Sequence, residues 1–326
     1  MCTAPSSAIV TEGLVREFGT TRAVDAIDLD IRPGEIYGFL GPNGAGKSTT
    51  MRMLCTLLSP TSGRALVGGH DVATDPGAVR LIIGVALQEA ALDPKQTGAE
   101  LLRLQGLLYG LPRSVMGRRV QELGELIDLG DALGQRISTY SGGMKRRLDL
   151  AAALVHNPDI LFLDEPTSGL DPISRVRIWD EVRRLNTDLG MTIFLTTQYL
   201  EEADQLADRV AIIDHGKIVA EGTPAELKHK VGADVIVARV DGDASTVRDL
   251  VADVDGVQSV ELHGDELVIN TENGSSTISP VAVALAGSDV TVRDLTLRTP
   301  TLDDVFLDLT GARIDTQAAD DEETTS

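Results

Sequence analysis

The stretch GPNGAGKST, residues 41–49, sets three glycines and a lysine beside a pair of hydroxyl residues. Glycine lets backbone N–H groups converge on phosphate oxygens without interference from a Cβ atom. The apolar run EIYGFL precedes the stretch and the helical pattern STTMRMLCTLL follows its lysine, which is the strand–loop–helix context of a phosphate loop. We predict that Lys47 contacts the β- and γ-phosphates of ATP and that Ser48 binds Mg²⁺. The residues expected around the phosphates are Gly41, Pro42, Asn43, Gly44, Ala45, Gly46, Lys47, Ser48 and Thr49.

The run ILFLDEP, which starts at Ile160, delivers two acids to the end of an apolar strand. Taken alone, adjacent acids at that position are as well explained by an ordinary helix N-cap. Beside a phosphate loop they favour hydrolysis. We predict that Asp164 holds Mg²⁺, directly or through water, and that Glu165 acts as the general base on the attacking water.

Two further residues are candidates for contact with the nucleotide. Gln88 follows the apolar run GVAL, where a neutral amide can reach Mg²⁺ or the attacking water, although such a residue is often an ordinary surface turn. Phe18 precedes a second strand pattern and can stack on adenine, with a core aromatic as the alternative. We retain both residues, Gln88 as a nucleotide and metal contact and Phe18 as an adenine platform.

A second stretch, TYSGGMKRR at residues 139–147, also has the residue types of an anion site. The Ser141 hydroxyl can donate a hydrogen bond, the amides of Gly142 and Gly143 are unobstructed, and a helix start adds about half a positive charge. The cations of Lys145, Arg146 and Arg147 are interpreted as solvated helix charges rather than as phosphate contacts.

The order of the apolar patterns predicts an α/β fold. Strand patterns alternate with helical patterns up to about residue 225, which indicates a mainly parallel sheet covered on both faces. After Lys230 the order becomes β-α-β-β-α-β, typical of a small ferredoxin-like domain, with a short helix at residues 302–310. The last dozen residues are polar and are predicted to be disordered.

Composition limits the classes of function. The chain has 326 residues and a net charge of −21, so its surface repels nucleic acid over most of its area. No apolar run approaches the ~18 residues that span a bilayer. Two cysteines, Cys2 and Cys55, do not indicate a disulfide framework, and no secretory signal is expected at the N-terminus.

Six motifs in one order give the chain a family resemblance. It resembles ABC transporter ATP-binding subunits over about residues 8–225, and most closely the daunorubicin/doxorubicin-type drug exporters. The motifs are GPNGAGKST, Gln88, TYSGGM, ILFLDE, Ser168–Asp171 and Thr196–Asp204. The closer resemblance comes from TYSGGMKRRLDLA, TTQYLEEADQLADRVAIIDHG and LDDVFLDLTG.

The resemblance implies a head-to-tail homodimer around two Mg-ATP, in which Ser141 faces the γ-phosphate held by the other copy. Ser168 and Asp171 then lie at the interface. The implied fold is a P-loop ABC ATPase domain over residues 1–228 with a helical subdomain at about 90–157, an accessory α+β domain over 229–312 and an acidic disordered tail over 313–326.

This sequence departs from the family pattern at two positions. Met144 replaces the common glutamine of the signature, and Gln198 replaces the switch histidine after the last core strand. A glutamine amide can donate to a phosphate oxygen but cannot become cationic near pH 6.5. Our hypothesis is that Gln198 senses the γ-phosphate as a neutral donor while Glu165 carries the base role.

The predicted function is hydrolysis of ATP to ADP and phosphate, coupled to export of a hydrophobic drug-like compound or lipid. The predicted partner is an integral membrane permease on a separate chain, which places this subunit peripherally on the cytoplasmic face of the membrane. The alternative is an ABC-type ATPase without a transport role. The transported substrate does not follow from the sequence, because the permease rather than this chain meets it.

Overall fold

The computed structural model describes residues 7–87, 92–232, 234–241, 245–264, 266–288 and 290–310. The predicted acidic tail, residues 313–326, lies outside this range. A division after Pro224 separates two compact units. None of the helices in the described ranges has the length and apolarity that crossing a bilayer requires.

The first unit contains two sheets and seven α-helices among its described residues. Its strands are β1 Ile9–Phe18, β2 Thr21–Ile31, β3 Ile36–Leu40, β4 Ser62–Val67, β5 His70–Asp71, β6 Ile83–Ala86, β7 Ile160–Asp164, β8 Thr192–Thr197, β9 Arg209–Asp214 and β10 Lys217–Gly222. Its helices are α1 Lys47–Leu54, α2 Pro76–Ile82, α3 Gly98–Leu108, α4 Arg113–Leu126, α5 Gly142–Ala153, α6 Pro172–Leu189 and α7 Leu200–Leu206, and α8 Pro224–Val231 begins at the division.

The central sheet has the strand order β10-β9-β3-β8-β7-β6. The neighbours from β9 to β6 are parallel, and β10 is antiparallel to β9. Every residue of β3, β7 and β8 is buried, because a sheet covered on both faces needs apolar side chains on both. The predicted α/β fold with a mainly parallel sheet is confirmed, and the carboxyl ends of β3, β6, β7 and β8 lie at one edge of the sheet.

The smaller sheet is antiparallel, in the order β2-β1-β4-β5. It packs around one core with the larger sheet, which includes Ile9, Leu14, Phe39, Phe162 and Phe194. The sequence patterns identified β1 and β2 but not β4, β5, α2 or β10. These are short elements with small or charged residues, such as SGRALV in β4, so they lack a clear apolar period.

Helices α3, α4 and α5 share a second core. Leu101, Leu102, Val120, Leu123 and Leu148 lie in it. The sequence places Leu101, Leu104, Leu108, Val120, Leu123 and Ile127 at helical spacing. Four of the six are buried, whereas Leu104 and Leu108 of α3 are 42% and 72% exposed.

The second unit alternates strands and helices in the order predicted. Its elements are β11 Asp234–Asp241, α9 Ser245–Ala252, β12 Val257–His263, β13 Glu266–Thr271, α10 Gly274–Ala286, β14 Thr291–Arg298 and α11 Leu302–Thr310. The sheet order is β12-β13-β11-β14, with all pairs antiparallel. The buried residues Ile236, Val251, Ile269 and Leu285 form its core with α9 and α10.

One close contact joins α5 to the edge strand β6 of the central sheet. A Cβ atom on Gly84 would lie 2.4 Å from the carbonyl oxygen of Ala153 in the last turn of α5. Only glycine therefore lets the end of this helix approach the strand at its present distance. The contact connects the helical region to the central sheet.

We predict that Gly84→Ala lowers the free energy of unfolding by about 1–3 kcal/mol, because the backbone of α5 must move away. The control is Gly77→Ala in α2, where the added methyl meets nothing within 4 Å and should stabilise the helix by about 0.4–1 kcal/mol. Urea unfolding of both variants measures the difference. Equal effects of the two changes would contradict the packing argument.

Candidate nucleotide site

The parallel register brings three motifs to one edge of the central sheet. Leu40, the last residue of β3, pairs with Thr197 of β8. Asp164, the last residue of β7, pairs with Thr196 of β8. Strand neighbours lie about 4.8 Å apart, so residues far apart in sequence become adjacent here. The phosphate loop, the acids after β7 and Gln198 after β8 all emerge at this edge.

The loop between β3 and α1 needs glycine at two positions for steric reasons. A Cβ atom on Gly41 would lie 2.3 Å from the carbonyl oxygen of Ile213 in β9. Gly46 has a φ of 109°, and its Cβ atom would lie 2.5 Å from the carbonyl oxygen of Ala23 in β2. The loop is thus pressed against two strands, and Asn43 and Gly44 at its tip are exposed. The start of α1 points its unpaired N–H groups into this loop, which is the geometry that binds phosphate.

Lys47, the first residue of α1, is buried with 4% of its surface exposed. Its Nζ atom donates to the carbonyl oxygens of Gly41 and Pro42, at 2.8 and 3.1 Å. The same atom lies 3.4 Å from Oε1 of Glu165. Burial lowers the pKa of Lys47, and the nearby carboxylates of Glu165 and Asp164 oppose that shift. A buried cation with flexible partners of this kind is suited to exchange them for phosphate oxygens.

Asp164 and Ser48 form the predicted metal pair. The Ser48 Oγ donates to Oδ1 of Asp164 at 3.1 Å, and the Thr196 Oγ1 donates to the same oxygen at 2.5 Å. Asp164 is buried with 2% exposure, so its carboxylate is held in one orientation by two hydroxyl groups.

The donor set at this pair fits Mg²⁺. A hydroxyl oxygen and a carboxylate oxygen are hard ligands, and Mg²⁺ takes one or two such protein ligands and completes its shell with phosphate and water oxygens. In the described ranges, no cluster of three or more His, Cys, Asp or Glu side chains could hold a metal without such added ligands. The site therefore suits a metal that arrives with a nucleotide.

Glu165 adopts an unusual backbone conformation, with a φ of 46°. Its N–H donates to the carbonyl oxygen of Thr196 at 3.0 Å, and its side chain is 6% exposed. A positive φ in a non-glycine residue costs of order 1 kcal/mol and persists only where neighbours hold it. The conformation turns the Glu165 carboxylate towards Lys47 instead of continuing the line of the strand.

Three further residues are predicted to contact the nucleotide, namely Gln198, Phe18 and Gln88. Gln198 follows β8 directly and is partly exposed, and the preceding Thr197 accepts the Gly41 N–H at 3.2 Å, which ties the switch position to the phosphate loop. Phe18 ends β1 and is 47% exposed, with the Arg16 guanidinium 4.5 Å from its ring centroid. An aromatic ring with an exposed face can stack on a base, and Phe18 is not the core aromatic of the alternative. Gln88 lies outside the described residues.

The signature stretch begins helix α5. Ser141 is its N-cap, and the Ser141 Oγ accepts the Met144 N–H at 3.2 Å. Ser141 and Gly142 are exposed, while a Cβ atom on Gly143 would lie 3.0 Å from the Ser174 Oγ of α6. The Ser141 hydroxyl proton can still be donated while its oxygen accepts. The helix start is therefore open to an anion that another molecule brings.

The Ser168–Asp171 stretch leads into helix α6. Oδ1 of Asp171 accepts the backbone N–H groups of Ile173 and Ser174, at 3.1 and 3.0 Å, and the Asp171 side chain thereby caps the helix. The Ser168 N–H donates to the Glu165 carbonyl oxygen at 3.2 Å. The turn after the candidate base and the start of α6 are thus directly connected.

The interpretation of Arg146 and Arg147 as solvated helix charges is wrong. Each side chain is only 12% exposed, and both guanidinium groups donate to backbone carbonyls. Arg147 donates to the carbonyls of Ile127 and Asp128, at 2.8 and 3.0 Å. Only Lys145 of the three cations is exposed.

Arg146 makes the larger set of contacts. Its Nη1 donates to the Leu87 carbonyl at 2.6 Å, its Nη2 to the Asp164 carbonyl at 2.9 Å and its Nε to the Pro166 carbonyl at 2.9 Å. Its Nη1 also lies 3.4 Å from Oδ2 of Asp149. Burial lowers the pKa of Arg146, and burial raises the pKa of Asp149 to about 6 against the pull of Arg146. No spacing in the sequence indicates these contacts, because the acceptors are backbone atoms.

Comparison with known proteins identifies the family. Residues 24–168 match the model of the ABC transporter family, and residues 222–310 match the C-terminal domain of DrrA1-3-like ATP-binding proteins. The chain is 47% identical to the daunorubicin/doxorubicin resistance ATP-binding protein DrrA of Streptomyces peucetius, over 98% of both chains. The chain belongs to this family of ABC transporter ATP-binding proteins.

A more distant relative and a solved structure agree with that assignment. The linearmycin resistance ATP-binding protein LnrL of Bacillus subtilis is 36% identical, with 92% of this chain and 97% of that protein covered. A solved ATP-binding subunit of an ABC transporter superposes with a TM-score of 0.62 at 26% identity, covering 69% of this chain and 93% of the other. The chain is an ABC transporter ATPase, which binds ATP and couples its hydrolysis to transport. Family membership disfavours the alternative of an ATPase without a transport role.

We predict that Thr196→Val raises the Mg²⁺ concentration needed for half-maximal ATP hydrolysis by about tenfold, because Asp164 loses a hydroxyl that orients it. The matched control is Thr192→Val on the same strand. Thr192 is also buried, and its hydroxyl accepts the Gly34 N–H at 2.9 Å, well away from Asp164 along the strand. This control should cost stability alone, about 1 kcal/mol. The same shift in Mg²⁺ requirement in both variants would contradict the role of Thr196.

Proposed function

We propose that two copies of the chain close head to tail around two Mg-ATP and drive export of a hydrophobic drug-like compound or lipid through a separate membrane protein. One observation supports the proposed dimer: of the two candidate anion sites in the chain, one is buried and the other is exposed. The site around Lys47 is buried, whereas Ser141 and Gly142 at the start of α5 are exposed. An exposed donor set is suited to a phosphate that a second copy holds.

In the proposed hydrolysis, a water molecule attacks the γ-phosphorus and releases ADP and phosphate. Glu165 accepts the water proton, and Lys47 neutralises charge on the phosphate oxygens. Ser48 and Asp164, with Gln88 as a further proposed contact, would hold Mg²⁺, which when bound would neutralise charge on the phosphate oxygens. Lys47 lies 3.4 Å from Glu165, so a phosphate that binds Lys47 would change the electrostatic surroundings of the proposed base.

Gln198 is proposed as the sensor of the γ-phosphate. It follows Thr197, whose carbonyl accepts the N–H of the first glycine of the phosphate loop, so the backbone before Gln198 is tied to the site. The amide donates without gaining charge. Phe18 is proposed to stack on adenine, and the loop residues 41–49 to surround the phosphates.

The start of α5 completes the second half of the proposed composite site. Its N-terminal end carries about half a positive charge, and Ser141, Gly142 and Gly143 supply the donors. Asp171 and Ser168 are proposed to lie at the interface between copies. The Ser168 N–H donates to the Glu165 carbonyl oxygen. Movement of Ser168 on closure of the interface would therefore shift the backbone of the base.

We further propose the domain bounds 1–228 for the ATPase, with a helical subdomain at about 90–157, and 229–312 for a ferredoxin-like accessory domain. The strand order β12-β13-β11-β14 with helices α9 and α10 supports the ferredoxin-like arrangement. We assign this domain no catalytic role. His263, at 65% side-chain exposure, is paired with Glu261 at the hairpin surface.

Helix α3 is the proposed docking surface for the membrane protein. Leu101 and Leu102 are buried, but Leu104, Leu107 and Leu108 are 42%, 50% and 72% exposed. Three exposed leucines on one short helix form an apolar strip that a partner can cover. Tyr109 belongs to internal packing, because its ring stacks on His156 at 3.7 Å between centroids. A subunit docked in this way is peripheral, on the cytoplasmic face of the membrane.

The substrate class rests on the relatives. One relative, 47% identical to the chain, is named for resistance to daunorubicin and doxorubicin. Another, 36% identical, is named for resistance to linearmycin. Because these names differ while both proteins match the chain over more than 90% of its length, we propose drug export as the class and assign the choice of molecule to the membrane protein.

We predict that Glu165→Gln binds ATP, fails to hydrolyse it and accumulates as a dimer, because the amide cannot accept the water proton. In that background, Ser141→Arg should keep the first nucleotide but remain a monomer, since the arginine blocks the proposed interface. Light scattering at saturating Mg-ATP and a fluorescent-nucleotide titration measure the two properties.

Ser59→Arg, a change at another exposed serine, is the charge-matched control and should still dimerise. A dimer of Glu165→Gln with Ser141→Arg would refute the composite site. A monomer of Glu165→Gln alone would refute nucleotide-driven closure.

We predict that replacing Leu104, Leu107 and Leu108 together by serine prevents co-purification with a hydrophobic membrane protein while ATP binding is kept. The control replaces the exposed leucines Leu57 and Leu189, at 57% each, and should leave the complex intact. Pull-down from detergent-solubilised membranes measures the effect. Loss of the complex in both variants would indicate a general effect of surface apolarity and contradict docking on α3.

A further inference from the structure

We propose that Arg146 is a positioning residue for Glu165, acting as a backbone clamp that ties the signature helix to the candidate base. This role rests on the proposed function of Glu165. The Arg146 guanidinium donates to two carbonyl groups that lie before and after the base in the chain, those of Asp164 and Pro166.

The conformation of Glu165 makes such a clamp necessary. With its φ of 46°, the residue occupies a region that L-amino acids with side chains rarely adopt, and strain of this kind needs surrounding contacts to persist. On the sheet side, the Glu165 N–H is held by the Thr196 carbonyl at 3.0 Å. On the other side, Arg146 fixes the orientation of the peptide groups that precede and follow Glu165–Pro166. The carboxylate direction is thus set by bonds to its neighbours' backbone.

The third carbonyl extends the clamp to another part of the site. Arg146 Nη1 donates to Leu87 at 2.6 Å, and Leu87 directly precedes Gln88 in the sequence. One side chain of α5 therefore holds the segment that leads to Gln88 and the segment that carries Glu165. Since α5 begins at the signature serine, a shift of this helix on closure is transmitted to both segments.

The geometry requires arginine rather than any cation. Three different nitrogens of the planar guanidinium meet three carbonyls, and a lysine ammonium cannot keep that fork geometry from a single point. Asp149, at 3.4 Å, supplies the counter-charge that a side chain with 12% exposure needs. The Arg146 guanidinium therefore has three carbonyl acceptors and one carboxylate beside it.

The alternative is that Arg146 only fastens α5 to the fold. Arg147 offers a matched comparison, because it is the next residue, has the same 12% exposure and also donates to two carbonyls. Its acceptors, Ile127 and Asp128, follow α4 and are not part of the strand ends that form the site. A merely structural role predicts similar results for the two arginines.

The first test compares Arg146→Lys with Arg147→Lys in steady-state hydrolysis by the full chain. Arg146→Lys should lower kcat by about 10- to 100-fold, the range expected for a misplaced catalytic group, with the Kd for ATP within about twofold of wild type because Lys47 and its loop are untouched. Arg147→Lys should leave kcat close to wild type. Equal losses in the two variants would overturn the proposal.

The second test separates failure of this inference from failure of the proposed base. Glu165→Gln is combined with Arg146→Lys, and the residual rate is compared with that of Glu165→Gln alone. If Arg146 acts through Glu165, the second change adds no further loss. A further tenfold loss would show that Arg146 acts through a residue other than Glu165. Full activity of Glu165→Gln by itself would refute the assignment of Glu165 as the base, and the clamp would then be tested by hydrogen exchange.

The third test is hydrogen exchange by mass spectrometry, which needs no turnover. Arg146→Lys should speed exchange in peptides covering residues 163–168, because the peptide groups around Glu165 lose their restraint. Arg147→Lys should speed exchange near residues 127–129 instead. Unchanged exchange at 163–168 in Arg146→Lys would overturn the clamp.

Discussion

Buried charge at the edge of the parallel sheet is the constraint on which the rest of the structure depends. Lys47, Asp164 and Glu165 are 4%, 2% and 6% exposed, and a charge removed from water is costly unless it is bonded to a partner. The surrounding chain supplies those partners: loop carbonyls for Lys47 and two hydroxyls for Asp164. Glu165 faces Lys47. The site is therefore arranged around charges before a nucleotide adds its own.

This constraint explains why the elements are distributed as they are. Partners for three buried charges must come from several strands at once, and a parallel sheet places the carboxyl ends of β3, β7 and β8 side by side at one edge. Gly41 and Gly46 let the phosphate loop lie directly on β9 and β2. Backbone carbonyls and amides then carry much of the bonding, which makes the site sensitive to small shifts of the loops.

The arginines of α5 obey the same constraint as the charges at the nucleotide loop, because each is largely buried and needs bonded partners. Arg146 and Arg147 are both largely buried, and each donates to backbone carbonyls. Arg146 donates to the carbonyls of Asp164 and Pro166 on both sides of Glu165, while Arg147 bonds to the segment after α4. Helix α5, with its exposed N-terminus, is thereby hydrogen-bonded to the chain on both sides of the buried Glu165.

The sequence by itself determined the family, the alternation of strands and helices, and the identity of Lys47, Ser48, Asp164 and Glu165 as neighbours, because these follow from local motifs and apolar periods. It also predicted the order of elements in the second unit. Only the tertiary structure decided that Thr196 donates to Asp164, that Glu165 has a positive φ, and that Arg146 is largely buried and bonded to backbone carbonyls rather than solvated. The reason is physical: these features depend on backbone atoms and strand register, which bring together residues dozens of positions apart and leave no pattern in the side-chain sequence.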